Sequence, residues 1–272
     1  MQWWDAPGMH EATEFSTTAD VPAGRHALVT GGSRGIGAAI ARALSAAGAT
    51  VTIVGRDRVA LQRAVADGVA AGCEVADVTD AAAMAAAIGR AEAARGPIAI
   101  LVNNAGAADS APFGRTSRAA WDRMLAVNLT SVFAATQIVL PGMLKRGWGR
   151  VVNVASTAGL IGYPYVSAYV AAKHGVVGLT RALALEVAKS QVTVNAVCPG
   201  FTDTDLVARS AEAIAAKTGR STEQARADLA RSNPQGRLVL PEEVAACVRY
   251  LCGPGSGAIN GQALAIAGGE VM

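Results

Sequence analysis

From His26 onward, short runs of β-branched and apolar residues alternate with longer alanine-rich stretches. Strands buried on both faces read as near-continuous apolar runs, so this alternation predicts a parallel sheet sandwiched between helices. Seven strands are expected: Ala27–Thr30, Thr50–Val54, Cys73–Ala76, Ile98–Val102, Arg150–Val154, Val192–Val197 and Ala263–Ile266. Helices fill the gaps, among them Ile36–Ala47, a long one over Trp121–Arg146, Ala168–Lys189 and Pro241–Leu251, where Pro241 suits a first-turn position. With no strand block outside the series, residues 25–272 are expected to form a single-domain α/β fold, a doubly wound parallel seven-stranded sheet with helices on both faces. Over residues 202–232 the alternation lapses into polar, alanine-rich helical sequence. Above the carboxyl edge of such a sheet, that segment is a candidate substrate lid.

Composition narrows the partners. Hydrophobic residues make up 51% of the 272, with 30 glycines and 4% aromatics, which suits an Ala/Val-rich α/β core. The formal charge of +3 comes from 24 basic and 21 acidic residues scattered along the chain, so no basic stripe points to nucleic acid or an anionic membrane. Cys73, Cys198, Cys247 and Cys252 form no C-x-x-C pair and accompany no histidine cluster. That argues against a disulfide framework or a metal site, and for a reducing, cytoplasmic setting. Residues 1–24 mix Trp3 and Trp4 with Asp5, Glu11, Glu14 and Asp20 and contain no apolar run, so they read as a tail, neither signal peptide nor membrane span. The Trp3-Trp4 pair either packs on a neighbouring subunit or belongs to a poorly ordered extension.

Chemistry begins after the first strand, where Thr30-Gly31-Gly32-Ser33-Arg34-Gly35-Ile36-Gly37 opens directly into a helix. Such a turn lets backbone N–H groups approach a pyrophosphate, and the helix N-terminus adds partial positive charge. At the first βα junction of a βαβ series this points to a Rossmann-like dinucleotide site. An NAD site would carry an acid at the end of the second strand to bond the ribose 2′-hydroxyl. Here Val54 is followed by Gly55 and Arg56. With Arg34 nearby, two forked donors are available to a 2′-phosphate, which favours NADPH/NADP; the alternative is two solvated surface charges, with Asp57 capping the next helix.

Further along lie Asn103-Asn104-Ala105-Gly106, then Asn128, Ser156, and Tyr169 with Lys173 four residues later. Residues i and i+4 share a helix face, so the Lys173 ammonium is placed to favour the Tyr169 phenolate. Asn103 to Gly106 reads either as a turn supporting the sheet or as a direct cofactor contact.

In these motifs the chain closely resembles the short-chain dehydrogenase/reductase family, from Ala27 to Gly269. The family's G-x-x-x-G-x-G falls on Gly31, Gly35 and Gly37, its N-N-A-G on Asn103 to Gly106, and its Y-x-x-x-K on Tyr169 and Lys173. The resemblance implies a catalytic set of Asn128, Ser156, Tyr169 and Lys173. It also implies cofactor contacts from Gly31, Ser33, Arg34, Gly35, Ile36, Gly37, Arg56, Asp77, Val78, Asn104, Ala105, Gly106, Tyr169, Lys173, Pro199, Gly200, Thr202 and Thr204. By that resemblance Ser156 bonds the substrate oxygen, Tyr169 donates its proton, Lys173 binds the nicotinamide ribose and lowers the phenol pKa, and Asn128 holds a relay water. Hydride arrival at a carbonyl carbon creates alkoxide character at oxygen, where prealigned hydroxyl donors act best, and no metal is required.

Asn153 to Gly159, Lys173 to Gly178 and Asn195 to Thr204 look most like 3-oxoacyl thioester reductases and polyketide ketoreductases. The expected substrate is therefore a small-molecule ketone, foremost a CoA or acyl-carrier thioester, with Arg209, Lys217 and Arg220 as candidate phosphate contacts in the lid. The alternatives are a secondary-alcohol dehydrogenase or general carbonyl reductase and, remotely, a non-catalytic nucleotide sensor. Similarity to the family also implies a homo-oligomer, a tetramer before a dimer. His174 and Cys198 read as structural, one of Tyr163 and Tyr165 is a candidate for the substrate wall, and Ala267 departs from the acidic or polar residue many relatives carry there.

Overall fold

The computed structural model describes Val21 and residues 23–272. The tail expected over 1–24 falls largely outside the described residues, and Trp3-Trp4 entirely so. In chain order the elements are β1 (His26–Thr30), α1 (Gly35–Ala46), β2 (Thr50–Gly55), α2 (Arg58–Ala66), β3 (Gly72–Val75), α3 (Ala81–Arg95), β4 (Ile98–Asn103), α4 (Arg118–Leu125) and α5 (Ser131–Arg146). They continue as β5 (Gly149–Val154), α6 (Ser167–Glu186), β6 (Val192–Pro199), α7 (Asp205–Thr218), α8 (Thr222–Ala230), α9 (Pro241–Cys252) and β7 (Ala263–Ile266).

The strands form one seven-stranded sheet in the order β3-β2-β1-β4-β5-β6-β7. Every neighbouring pair is parallel. The order in which strands are added across the sheet reverses between β1 and β4, and in such sheets ligands bind in the crevice at the carboxyl ends beside that point. Side chains alternate between the two faces of the sheet. Ile100, Val102 and Val152 join Ile40, Leu44, Val248 and Leu251 on the α1–α9 face. Leu101, Val151 and Val194 join Met84, Ile88, Val139 and Met143 on the opposite face. Each fully buried Leu or Ile contributes about 1.5–3 kcal/mol of transfer free energy.

Three features position the site. Asn103 Nδ2 donates to Asn153 Oδ1 (2.9 Å), and Asn153 Nδ2 to Thr180 Oγ1 (2.9 Å). This buried polar chain crosses β4 and β5 and reaches α6. The long helix expected over Trp121–Arg146 is instead two helices joined by a π turn at Ala126–Thr130. A single wide turn of this kind is frequent at functional sites, and here it carries Asn128. The combined stretch from Arg118 to Arg146 is long and apolar enough to cross a membrane, and its Ala135, Val139 and Met143 pack against the sheet. The segment read as a lid forms α7 and α8, the latter opened by a Ser221–Gln224 capping box.

Candidate active site

The glycine turn occupies the carboxyl end of β1. Gly31 has φ 65°, a left-handed conformation that glycine reaches without Cβ strain. A Cβ on Gly37 would lie 2.2 Å from the Gly31 carbonyl oxygen, so the helix enters too close to the turn for any side chain. Beneath it, Asn104 Nδ2 donates to the carbonyls of Thr30 (2.9 Å) and Gly31 (3.2 Å). Thr30 Oγ1 accepts from the backbone N–H groups of Asn104 and Ala105, both at 3.0 Å. The Asn104–Gly106 segment therefore braces the turn, a task the motif alone left open. Thr30 had no motif of its own, and only the pairing of β1 with β4 brings out its role.

The turn suits an anionic ligand. Asp57 and Asp80 cap α2 and α3, but no side chain caps α1 and no acid lies in its first turn. Its leading N–H groups are left for a ligand. Arg34 and Arg56 are well exposed, the first 3.9 Å from Asp205 and the second 3.6 Å from Asp77. The Asp77 carboxyl is held below its ordinary value by the Thr79 backbone N–H, with the Arg56 charge assisting. Thr204 packs against Gly35, bringing the start of α7 onto the glycine turn.

The hydroxyl-bearing side chains gather at the carboxyl ends of β4, β5 and β6. Ser156, just beyond β5, accepts from the Ala158 N–H at 3.1 Å through Oγ. Tyr169 and Lys173 lie on one face of α6, with Lys173 Nζ 5.6 Å from the Tyr169 ring centroid and donating to the Val154 carbonyl at 2.8 Å. Burial pushes the Tyr169 phenol up from its ordinary value, and the Ser156 hydroxyl opposes that shift. Among the influences on this phenol in the structure, burial is the largest. Burial also lowers Lys173 to about 8. The one bond to Val154 leaves two of three ammonium hydrogens for other partners.

Asn128 is fully buried, and its amide clamps the neighbouring loop. Nδ2 donates to the Ala107 carbonyl (2.9 Å) and the Met124 carbonyl (3.1 Å), while Oδ1 accepts from the Ala107 N–H (3.2 Å). With both amide hydrogens committed, the side chain is a clamp on the Ala107 loop. Gly106 lies between Asn128 and Lys173, where a Cβ would meet Asn128 Oδ1 at 2.8 Å.

Tyr163 and Tyr165 separate cleanly. Tyr165 is 63% exposed, has φ 66°, and accepts the Ala111 N–H through its carbonyl. Tyr163 turns inward, its hydroxyl 2.8 Å from Thr157 Oγ1 and 2.6 Å from Glu270 Oε1. Glu270 had no sequence signal, since it follows β7 outside any motif or periodic element. Cys198 is fully buried, and burial raises its thiol to about 11, which suits a small core residue. His174 is exposed, with Nδ1 3.0 Å from the Val170 carbonyl oxygen on its own helix.

A parallel sheet whose strand order reverses beside an uncapped glycine turn, with a Tyr–Lys pair on α6 near the carboxyl end of β5, defines a dinucleotide-dependent oxidoreductase. Residues 25–215 match the short chain dehydrogenase family model, and the chain belongs to that family. It is 42% identical over 253 residues to a D-beta-hydroxybutyrate dehydrogenase of Cupriavidus necator, covering 91% of this chain and 98% of the relative. It is 42% identical over 252 residues to a putative ketoacyl reductase of Streptomyces coelicolor, covering 89% and 95%. Among solved structures, a variant of the actinorhodin polyketide ketoreductase with NADPH superposes at a TM-score of 0.87, with 40% identity over 90% of this chain and 97% of that one.

Proposed function

We propose that the protein reduces a ketone, foremost a 3-oxoacyl thioester, to the secondary alcohol with NADPH. The observation that carries this reading is the half-buried Tyr169 beside Ser156, with the buried Lys173 against its ring, in a sheet that also carries the uncapped glycine turn. Gly31, Ser33, Gly35, Ile36 and Gly37 hold the pyrophosphate, with Arg34 and Arg56 on the 2′-phosphate. Asp77 and Val78 take the adenine end, and Asn104 to Gly106, Pro199, Gly200, Thr202 and Thr204 frame the nicotinamide side. When bound, the reduced nicotinamide supplies hydride to the carbonyl carbon. Ser156 donates a hydrogen bond to the carbonyl oxygen, and Tyr169, kept protonated by its burial, gives that oxygen its proton. Lys173 places its remaining hydrogens on the ribose and stabilises the resulting phenolate. Asn128 holds Ala107 in place beside them. Helices α7 and α8 close over the substrate, and Arg209, Lys217 and Arg220 lie on this lid where a phosphate-bearing carrier would arrive.

Both the ketoacyl reductase relative and the NADPH-bound ketoreductase structure support reduction. The hydroxybutyrate dehydrogenase relative favours a second reading, oxidation of a secondary alcohol by the same groups. Initial rates with NADPH and NADH on acetoacetyl-CoA, a 3-oxoacyl pantetheine thioester and simple ketones test the assignment. Fast NADPH-dependent thioester reduction supports it. Turnover confined to free ketones or alcohols moves it to the second reading, and an NADH preference overturns the role of the two arginines. We also assign the protein to the cytoplasm, in keeping with four free cysteines, and to a homo-oligomer, with a tetramer preferred, through α5 and α6. Phe133, Leu144 and Leu185 are exposed on these helices, and the mass in solution checks the assembly.

A further inference from the structure

Glu270 follows β7 and packs against Tyr163 and Gly200. Its Oε1 accepts the Tyr163 hydroxyl hydrogen at 2.6 Å, so Thr157, 2.8 Å away, donates its own hydroxyl hydrogen to Tyr163. Thr157 directly follows Ser156, which ties this chain to the residue proposed to hold the substrate oxygen. On the other side, a Cβ on Gly200 would lie 2.9 Å from Glu270 Oε2, and the Phe201 ring meets Tyr163 edge to face with centroids 6.3 Å apart. Tyr163 lies near enough to Tyr169 that ionisation of one phenol would disfavour ionisation of the other. Burial, followed by the bond to Glu270, holds the Tyr163 phenol well above its ordinary value, so it remains a donor. The second carboxylate oxygen, Oε2, is buried with no hydrogen-bond partner among the described residues. No arginine or lysine is paired with Glu270 among them either.

A half-buried carboxylate, one oxygen sealed under Gly200 and the other tied through Tyr163 and Thr157 to the neighbour of Ser156, acts on a ligand through its charge. It repels a second anion, with reduced solvent screening. We propose that Glu270, anchored by Tyr163, sets substrate charge: it excludes free 3-oxo carboxylates and selects uncharged 3-oxo esters, thioesters and ketones. This inference rests on the reductase reading and deepens it. It separates this chain from its relative named for hydroxybutyrate, whose substrate is an anion at neutral pH.

The test uses acetoacetate and its uncharged methyl ester with NADPH, for the wild type and for Glu270→Gln and Glu270→Leu. The wild type should reduce the ester at least 100-fold more efficiently than the anion in kcat/KM. Glu270→Gln, which keeps the shape and removes the charge, should narrow that ratio at least tenfold by raising turnover of acetoacetate, a gain that structural damage does not produce. Glu270→Leu should narrow it too. A ratio unchanged in both variants, or a wild type that prefers acetoacetate, overturns the proposal. Failure of the underlying reading looks different: the wild type would oxidise no NADPH with either compound, and the proposal would fall with it.

Discussion

Lys173 donates to the carbonyl of Val154 at 2.8 Å while standing 5.6 Å from the ring centroid of Tyr169, so the strand end fixes the cation before any ligand arrives. In Tyr169→Phe, NADPH binding should persist, since the phenyl ring keeps the packing, while ketone reduction should fall roughly 10²–10⁴-fold, the usual contribution of a positioned acid. Fluorescence of bound NADPH and steady-state rates separate the two effects, and undiminished turnover would remove Tyr169 from its role.

The charge on Lys173 gives a pH dependence with a definite sign. Burial holds its folded value at about 8, below the ordinary 10.5, so the cation is present below pH 8 and lost as pH rises through that value. Reductive kcat/KM should therefore be level below about pH 8 and decline above it, by up to about tenfold per pH unit for a single essential proton. Because the unfolded chain holds this proton more tightly, the group costs stability below pH 8 and that cost is relieved between about 8 and 10.5. In Lys173→Arg, whose guanidinium does not titrate here, the descending limb should vanish. A limb at the same pH in that variant would assign it to another group.

Cofactor preference should reside in two side chains. Replacing both Arg34 and Arg56 with Ala should raise KM for NADPH roughly 10–100-fold, as expected for losing one or two charge-assisted hydrogen bonds of about 1.5–3 kcal/mol. KM for NADH should stay within about threefold, and equal losses for both cofactors would mean that the arginines do not read the 2′-phosphate.

Stability offers a test away from the chemistry. Asn153→Leu removes the central link between Asn103 and Thr180, leaving buried groups unpaired at a cost of about 1–3 kcal/mol. Thermal denaturation should show Tm lower by roughly 3–10 °C for a chain of this size. An unchanged Tm would mean the network is compensated.

Much of this architecture is written in local pattern. The seven strands fall within two residues of the alternating runs at either end, because strands buried on both faces announce themselves as apolar blocks. The π turn at Ala126–Thr130 was not legible, since a wide turn keeps the composition of the helices it joins. Gly31, Gly35, Gly37, Tyr169 and Lys173 were readable because sequence spacing carries their chemistry. Thr30 and Glu270 were not: one acts through a strand 72 residues away, the other meets Tyr163 across 107 residues. No local signal encodes such meetings.

The pairing of β1 with β4 has a consequence for synthesis. These neighbours are separated in the chain by β2, β3 and their helices, and Thr30 finds its Asn104 and Ala105 partners only across that interval. A nascent chain that has released the glycine turn still lacks its brace until β4 emerges and docks. The crevice is therefore assembled by long-range closure, a slow kind of step, and the growing polypeptide exposes an unfinished sheet edge to chaperones for as long as that closure takes.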